Sequence, residues 1–413
     1  MTDTVYEPIE ADPQNAWRLE SPGDDGWDRS VRPGAPKKKY FMVSVDTHLT
    51  PPFRLYGERI DKKFRDIMPR IEERDGHRWM VQHGMRAEKL VEVPLHGDDL
   101  ARTKAGAGLS SIEEEAAIDR RISDQDRDGV DAEIIYPNGP ALLMWAGGNP
   151  EFSMAQARVW NDWSLEFTAP QKHRCYPACA VPTADVDAAI KEVERIAKMG
   201  GKVLNLPSKP IWGPDDVSAI NYNLPVFDPF WACVVDHDLP ITFHVASGKD
   251  PRAARGNGGA ISNYVVHALA PTVEPVVALC GSGVFDRFPK LRFATIEANA
   301  GWVPWTLDTM DEAYLKHHFW VRPKLKYLPS EYFRMNGAAS IGEDRSALLM
   351  MEPYKLQDNL MWANDFPHHE GSWPYSAPAI ERLFGDMSET NRAKLLGLNA
   401  ARFFGFDIPE KYK

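Results

Sequence analysis

The stretch FMVSVDTHLTPP, residues 41–52, decides how the rest of the chain is read. It begins as an apolar, β-prone run and stops at Pro51 and Pro52, which cannot donate to a strand ladder. Between run and stop lie Asp46 and His48, one residue apart. Side chains alternate along a strand, so these two share a face and can aim at one centre. Taken alone, the plainer reading is a strand that ends in polar loop residues.

The same shape recurs in AEIIYPNG (132–139), CYPACAVP (175–182), KVLNLPS (202–208), LPITFHVAS (239–247), LRFATIEAN (291–299) and NLMWANDFPH (359–368). Helical patterns separate most of these runs. IEEEAAIDRRISDQDRDG carries a dense charged face; DVDAAIKEVERIAKMGG repeats apolar residues at helical spacing and stops on glycine. Near-continuous apolar strands alternating with helices predict parallel βα units. An eighth, weaker strand in GAASIGED (337–344) would complete a (β/α)8 barrel, and an open doubly wound sheet is the competitor. No GxGxxG or GxxxxGK[ST] follows a strand, so a nucleotide-binding sheet gains no support. Residues 1–40, acidic and rich in Pro, Gly and Asp, read as a loose arm. The stretch 53–112, following the first strand, reads as an insertion such as a lid; Trp79 there and Trp27 in the arm suggest an apolar partner. The tail, 376–413, reads as terminal helices.

Composition narrows the function. The 413 residues are 43% hydrophobic, enough for a large core. A formal charge of -11, with no basic cluster beyond PKKK at 36–39, argues against nucleic acid or a membrane surface as partner. No apolar run is read as long enough to span a membrane, and the start lacks a signal-peptide pattern, so a soluble cytoplasmic protein is expected. Cys175, Cys179, Cys233 and Cys280 have neither zinc-ribbon nor redox spacing and read as reduced thiols.

In a barrel, reactive groups gather at the C-terminal ends of strands. Those ends carry Asp46 and His48, His244, Glu297, and then Asp365 with His368 and His369. Burying several carboxylates without a cation is costly, so the coincidence favours a metal site over four unrelated polar termini. Histidines mixed with carboxylates suit Zn, Mn or Fe(II).

Here the sequence resembles the amidohydrolase-related metal enzymes that include aminocarboxymuconate-semialdehyde decarboxylase, aromatic-acid decarboxylases and assorted hydrolases. The resemblance rests on VDTHLTPP, DQDRDGVDAEIIYP, RVWNDWSLEF, LPITFH, GVFDRFPKLRFATIEANAGWVPWTLDTMDE, LKYLPSEYF, ANDFPHHEGSWP and GLNAARFFGF, spanning about 41–407. It implies a distorted (β/α)8 TIM barrel with a long insertion after the first strand. It also implies one divalent metal held by Asp46, His48, His244 and Asp365, a small-molecule substrate and a homodimer.

The departures are informative. Asp46 stands where many relatives have His, and Glu297 stands where the decarboxylases place a catalytic His. Glu297 is therefore either acid–base group or ligand. Asn205 replaces the lysine that bridges two metals in binuclear relatives, while His267, His368 and His369 are spare imidazoles that with Glu297 would hold a second metal. His267 is also a candidate catalytic acid. Arg334 is a candidate clamp for a substrate carboxylate, and Trp373 a candidate pocket wall. Trp302 and Trp305 read as core residues at a helix start, and the WNDW run at 160–163 as a helix packed on the barrel. The expected chemistry is hydrolysis or decarboxylation, with nonheme diiron oxygenation as the alternative; a dead scaffold is disfavoured because every ligand position keeps a metal-competent side chain.

Overall fold

The structure, a computed structural model, describes residues 40–81, 83, 87–89, 117–138, 149–210, 221–247, 258–317, 324–368, 371–373 and 375–412. The strands are β1 (Val43–Leu49), β2 (Arg70–Arg74), β3 (His77–Val81), β4 (Glu88–Lys89), β5 (Ala132–Pro137), β6 (Cys175–Ala180), β7 (Val203–Asn205), β8 (Ile241–His244), β9 (Phe293–Ile296), β10 (Gly337–Ile341) and β11 (Leu360–Trp362). β1 and β5 to β11 form one sheet in the order β1-β5-β6-β7-β8-β9-β10-β11. All these pairings are parallel. The weak candidate at 337–344 is therefore a strand, β10.

The sheet closes on itself. Thr47 bridges Phe366; the His48 N–H donates to the Phe366 carbonyl at 2.7 Å and the Asp365 N–H to the Asp46 carbonyl at 3.1 Å. The doubly wound alternative is excluded, and the fold is a distorted (β/α)8 barrel. The distortion lies in this seam, where an isolated bridge stands in place of a ladder. β11 is shorter than the run 359–368 suggests: it stops at Trp362, ahead of a left-handed bend at Asp365.

Each barrel strand is buried along its length, which is why the runs are apolar almost throughout. Val43, Val45, Ile134, Ala178, Ile296 and Met361 share one cluster that ends on Phe404 and Phe406 of the C-terminal segment. Residues of opposite parity, such as Ile241, Phe243 and Leu360, pack outward with Val193 and Ile196 of the helix Val186–Met199.

β1 breaks strict alternation. Val43 pairs with Ala132 and Ser44 with Glu133, but Thr47 pairs with Ile135 and His48 with Tyr136, so β1 holds one residue more than its partner. That bulge shifts the parity: Val43 and Val45 fill the barrel, and Asp46 and His48 still turn inward beyond them.

The WNDW helix, Pro150–Thr168, is capped by Asn149 and packs on the barrel. Trp160 Nε1 donates to the Ala178 carbonyl, and Asn161 brackets Ala180, donating to its carbonyl and accepting from its N–H. The charged helix, Ala117–Asp128, is less ordinary, because Arg121, Gln125 and Asp128 on its face are buried. After β1 come the helix Phe53–Arg59, a 3-10 turn at Lys62–Ile67 and the antiparallel sheet β2-β3-β4. Residues 90–112 of the expected insertion and 1–39 of the expected arm, with Trp27, lie outside the described residues. Helices Ser376–Phe384, Glu389–Ala393 and Asn399–Phe404 follow β11.

One helical run, Asn263–Gly281, is long and apolar enough by length and composition to cross a membrane, which the sequence reading had not expected. Pro271, Glu274 and Pro275 interrupt it, and its Val276, Leu279 and Cys280 are packed into the barrel's outer core.

Candidate metal centre

The strand ends meet at one point. Asp46 and His48 come from β1, His244 ends β8, Glu297 follows β9 directly, and Asp365 with His368 lies just beyond β11. Two overlapping groups form, Asp46–His48–His244–Glu297 and His48–Glu297–Asp365–His368, with ligand atoms in each within 4.8 Å of one another. His48 Nε2 stands 3.5 Å from Asp46 Oδ1, 3.6 Å from Glu297 Oε2 and 3.3 Å from Asp365 Oδ1. His244 Nε2 stands 3.2 Å from Asp46 Oδ1 and 3.0 Å from Glu297 Oε2. His368 stacks on His48, ring centroids 4.0 Å apart, and its Nδ1 is 3.0 Å from Asp365 Oδ1.

The far sides of the imidazoles identify the tautomers. His244 Nδ1 faces the Val245 carbonyl at 2.7 Å, and His48 Nδ1 faces the Pro137 carbonyl at 3.4 Å. A carbonyl only accepts, so each Nδ1 carries the proton and each Nε2 offers a lone pair to the centre. There the lone pairs meet carboxylate oxygens, which are also only acceptors. His48 Nε2, Asp365 Oδ1 and His368 Nδ1 are buried atoms without a hydrogen-bond partner. Acceptors converging in a buried site need a cation among them. A divalent metal fits this donor set.

The protonation tendencies say the same. Burial alone would lower His244, but Asp46 and Glu297 outweigh it and push it up to about 9. His48 is likewise raised well above its ordinary range, with Asp365 and Glu297 overcoming its burial. Burial would raise Glu297, yet His244 and His48 hold it well below the usual carboxylate range. Asp46, more deeply buried, goes up against the pull of His244. In the absence of a metal, protons take the cation's place.

Backbone strain marks the same spot. Glu297 (φ 59°), Asn299 (φ 54°), Ala246 (φ 62°) and Asp365 (φ 54°) are left-handed without being glycine. Such residues persist where surrounding bonds over-determine them, and functional sites are the common place. Here the Ser340 hydroxyl accepts from the Glu297 N–H at 2.8 Å, and Asn205 Nδ2 donates to Ser247 Oγ behind His244.

Other expected site residues stand elsewhere. His267 lies in a π-helical turn, its Nδ1 3.0 Å from Asn263 Oδ1, and belongs to neither ligand group. Arg334 sits three residues before β10 begins, at the opposite end of the barrel from the centre, and donates to the Tyr354 carbonyl and Ser330 Oγ. Trp373 packs edge-on against Phe366 at 4.9 Å and donates to the Asp124 carbonyl, joining the loop to a helix. Trp302 is half-buried, but Trp305 is 65% exposed and is no core residue. His369 lies outside the described residues.

A cavity of about 290 Å³ opens beside the centre, its wall including Asp46, Glu297, Asp365, Ser340, Trp362 and Tyr264. The sequence reading missed Ser340, Tyr264 and the buried Arg121–Glu133 pair. Glu133 carried a signal, since a carboxylate inside the apolar strand AEIIYP demands a partner.

Barrel and cluster together define a metal-dependent enzyme whose chemistry sits at the C-terminal mouth of a TIM barrel. A family model described as amidohydrolase matches residues 111–406, and the chain belongs to that family, as a metal-dependent hydrolase or carboxy-lyase. The match begins after β1, so the placing of Asp46 and His48 comes from the fold. Among curated relatives, gamma-resorcylate decarboxylase of Rhizobium sp. is 26% identical over 301 residues, covering 70% of this chain and 87% of the relative. The 2-amino-3-carboxymuconate-6-semialdehyde decarboxylase of Dictyostelium discoideum is 24% identical over 302 residues, covering 71% and 78%. Among solved structures, an amidohydrolase from Mycobacterium avium subsp. paratuberculosis superposes with a TM-score of 0.70 at 20% identity, covering 89% of this chain and 99% of that one. A dihydroxybenzoic acid decarboxylase from Polaromonas sp., solved with bound manganese and 2-nitroresorcinol, gives 0.61 at 20% identity, covering 90% and 99%. At these identities the structural matches speak for the fold.

Proposed function

We propose that this protein is a carboxy-lyase that removes CO2 from a small aromatic or comparably unsaturated carboxylic acid, using one divalent metal. The carrying observation is the buried convergence of bare acceptor atoms at the barrel mouth, beside a cavity near the lower end of the usual small-molecule range. The decarboxylase relatives support the choice of reaction. Asp46, His48, His244 and Glu297 hold the metal, so Glu297 is a ligand in this reading. Two imidazoles among hard oxygen donors favour manganese or iron over zinc. When bound, the metal supplies Lewis acidity that anchors the substrate's oxygens.

The chain's own residues manage the proton. Losing CO2 from a carboxylate leaves a carbon that must gain H+, so the reaction consumes one proton per turnover. Asp365, beside His368 and open to the cavity, is placed to deliver it. His368 resupplies Asp365 from the solvent side, since its own side chain is 20% exposed. Trp362 and Tyr264 give the cavity two aromatic walls.

The test is manganese-loaded protein given a panel of hydroxybenzoic acids, with CO2 release and substrate loss followed together. Release from at least one acid, abolished by Asp365→Asn, is expected. Hydrolysis of a lactone or amide panel with no CO2 from any acid would move the protein to the hydrolases. Two irons per chain with O2 uptake would replace the proposal by oxygenation.

A further inference from the structure

Arg121 lies outside the ligand set, yet it is only 5% exposed and every part of its guanidinium is engaged. Nε and Nη2 donate to the two oxygens of Glu133, at 2.7 and 2.8 Å. Nη1 donates to the His48 carbonyl at 2.8 Å, and Nη2 also to Thr47 Oγ1 at 2.8 Å. The face of the group lies 4.9 Å from the centre of the Phe366 ring. One side chain therefore touches the backbone of a β1 ligand and the residue following Asp365. Its helix adds two further ties. Gln125 Oε1 and Asp128 Oδ2 accept from Asn364 Nδ2, at 3.1 and 3.0 Å, and Asn364 Oδ1 accepts from Ser44 Oγ at 2.8 Å. All of this spans the one seam of the barrel that a single bridge closes.

We infer that Arg121 is a positioning residue for the metal centre: it clasps the β1–β11 seam so that His48 and Asp365 stay in register with each other. The inference rests on the metal reading above. Full ladders fix the other strands; the seam has one bridge with two backbone hydrogen bonds, and Arg121 adds the side-chain tie that holds the His48 carbonyl, and with it the ring that meets the metal. An ordinary buried ion pair would affect folding alone, whereas a positioning residue affects metal affinity at constant folding.

The experiment compares manganese affinity, read from the free-ion EPR signal, with thermal stability of the metal-free protein. Arg121→Met is expected to weaken manganese binding by about ten- to a hundredfold, the usual cost of losing a group that orients a ligand. The double variant Arg121→Met with Glu133→Met removes the unpaired charge, so stability returns while binding stays weak. Arg121→Lys keeps the charge but not the fork, and is expected to fold normally with broadened EPR lines from bound manganese. Arg392→Met, which removes a buried arginine paired with Glu381 on the C-terminal helices, lowers stability and leaves affinity at the wild-type value. Recovery of affinity together with stability in the double variant, or equal weakening by Arg392→Met, overturns the inference while the metal reading stands. Wild-type protein that binds no divalent metal overturns both.

Discussion

The helix Val186–Met199 turns Ala189, Val193 and Ile196 toward the barrel, with one buried carboxylate, Glu192, beside them, while the helix Ala117–Asp128 buries Arg121, Gln125 and Asp128 with a single apolar residue, Ile118. Both are amphipathic and both cover the wall, but the first links β6 and β7, whose backbones pair directly. The second covers the seam, where the ladder shrinks to one bridge and leaves the His48 carbonyl in need of a partner, beside the buried side-chain amide of Asn364. Buried polar groups must be satisfied, so this helix supplies side-chain hydrogen bonds in place of backbone ones. Apolar helix faces hold the barrel's shape, and the polar face holds its closure, and with it the ligands.

The strongest way to break this contrast is to damage both faces by similar amounts. Glu133→Ala leaves Arg121 buried and unpaired and is expected to cost about 3–5 kcal/mol; Ile196→Ala should cost about 2–5 kcal/mol through a cavity. Chemical denaturation measures both losses. Only Glu133→Ala should also strip manganese from the folded protein; equal metal content in the two variants would end the distinction.

Next in size is the competition between proton and metal. In metal-free protein His244 titrates at about 9, up from 6.5. Its pairing with Asp46 and Glu297 thus stabilises fully below 6.5 and is lost as the pH rises through about 9. A metal needs the neutral ring, and His48 is raised as well, so affinity should climb with pH through about 9. Calorimetry at neutral pH in buffers of different ionisation enthalpy should show proton release on binding, and its absence would contradict the assignment.

A smaller effect separates two glycines. A Cβ on Gly371 would lie 2.2 Å from the Asn364 carbonyl oxygen and 2.9 Å from Asp365 Cβ; one on Gly201 would meet Ile196 Cγ2 at 2.4 Å. Each alanine variant should cost about 1–3 kcal/mol, with only Gly371→Ala weakening metal binding. Smallest of all, Ala246→Gly relieves a left-handed alanine at φ 62° and should gain up to about 1 kcal/mol in thermal stability, with metal affinity unchanged.

Much of this was legible in the sequence. The eight strands announce themselves as apolar runs because both faces of a barrel strand are covered, and even the weak GAASI strand shows by position. Asp46, His48, His244, Glu297 and Asp365 could be picked out because polar residues at successive strand ends stand out against apolar surroundings. The role of Glu297 could not, since a ligand and an acid–base group have the same side chain and differ by where the neighbours sit. Arg334 and Trp373 misled for a related reason: residue type suggested binding, while their location at the barrel base or in a packed loop comes only with the fold. The burial of the polar helix face was not legible, because charge in a helix usually means solvent and nothing local shows that the seam beneath it lacks a ladder.

The extra residue in β1 has a consequence of its own. Val43 and Val45 follow one phase of the strand, and Asp46 and His48 follow the next, as if two messages shared a ribbon with a shift of frame between them. Straightening that bulge without deleting a residue, so that β1 alternated strictly from Val43, would leave the upstream valines packed and turn the ligand pair to the wall, with Thr47 and Leu49 facing the mouth instead. The barrel would still close on its apolar runs, but its chemistry would be silent. In this protein the difference between a catalyst and an inert barrel is one residue of phase.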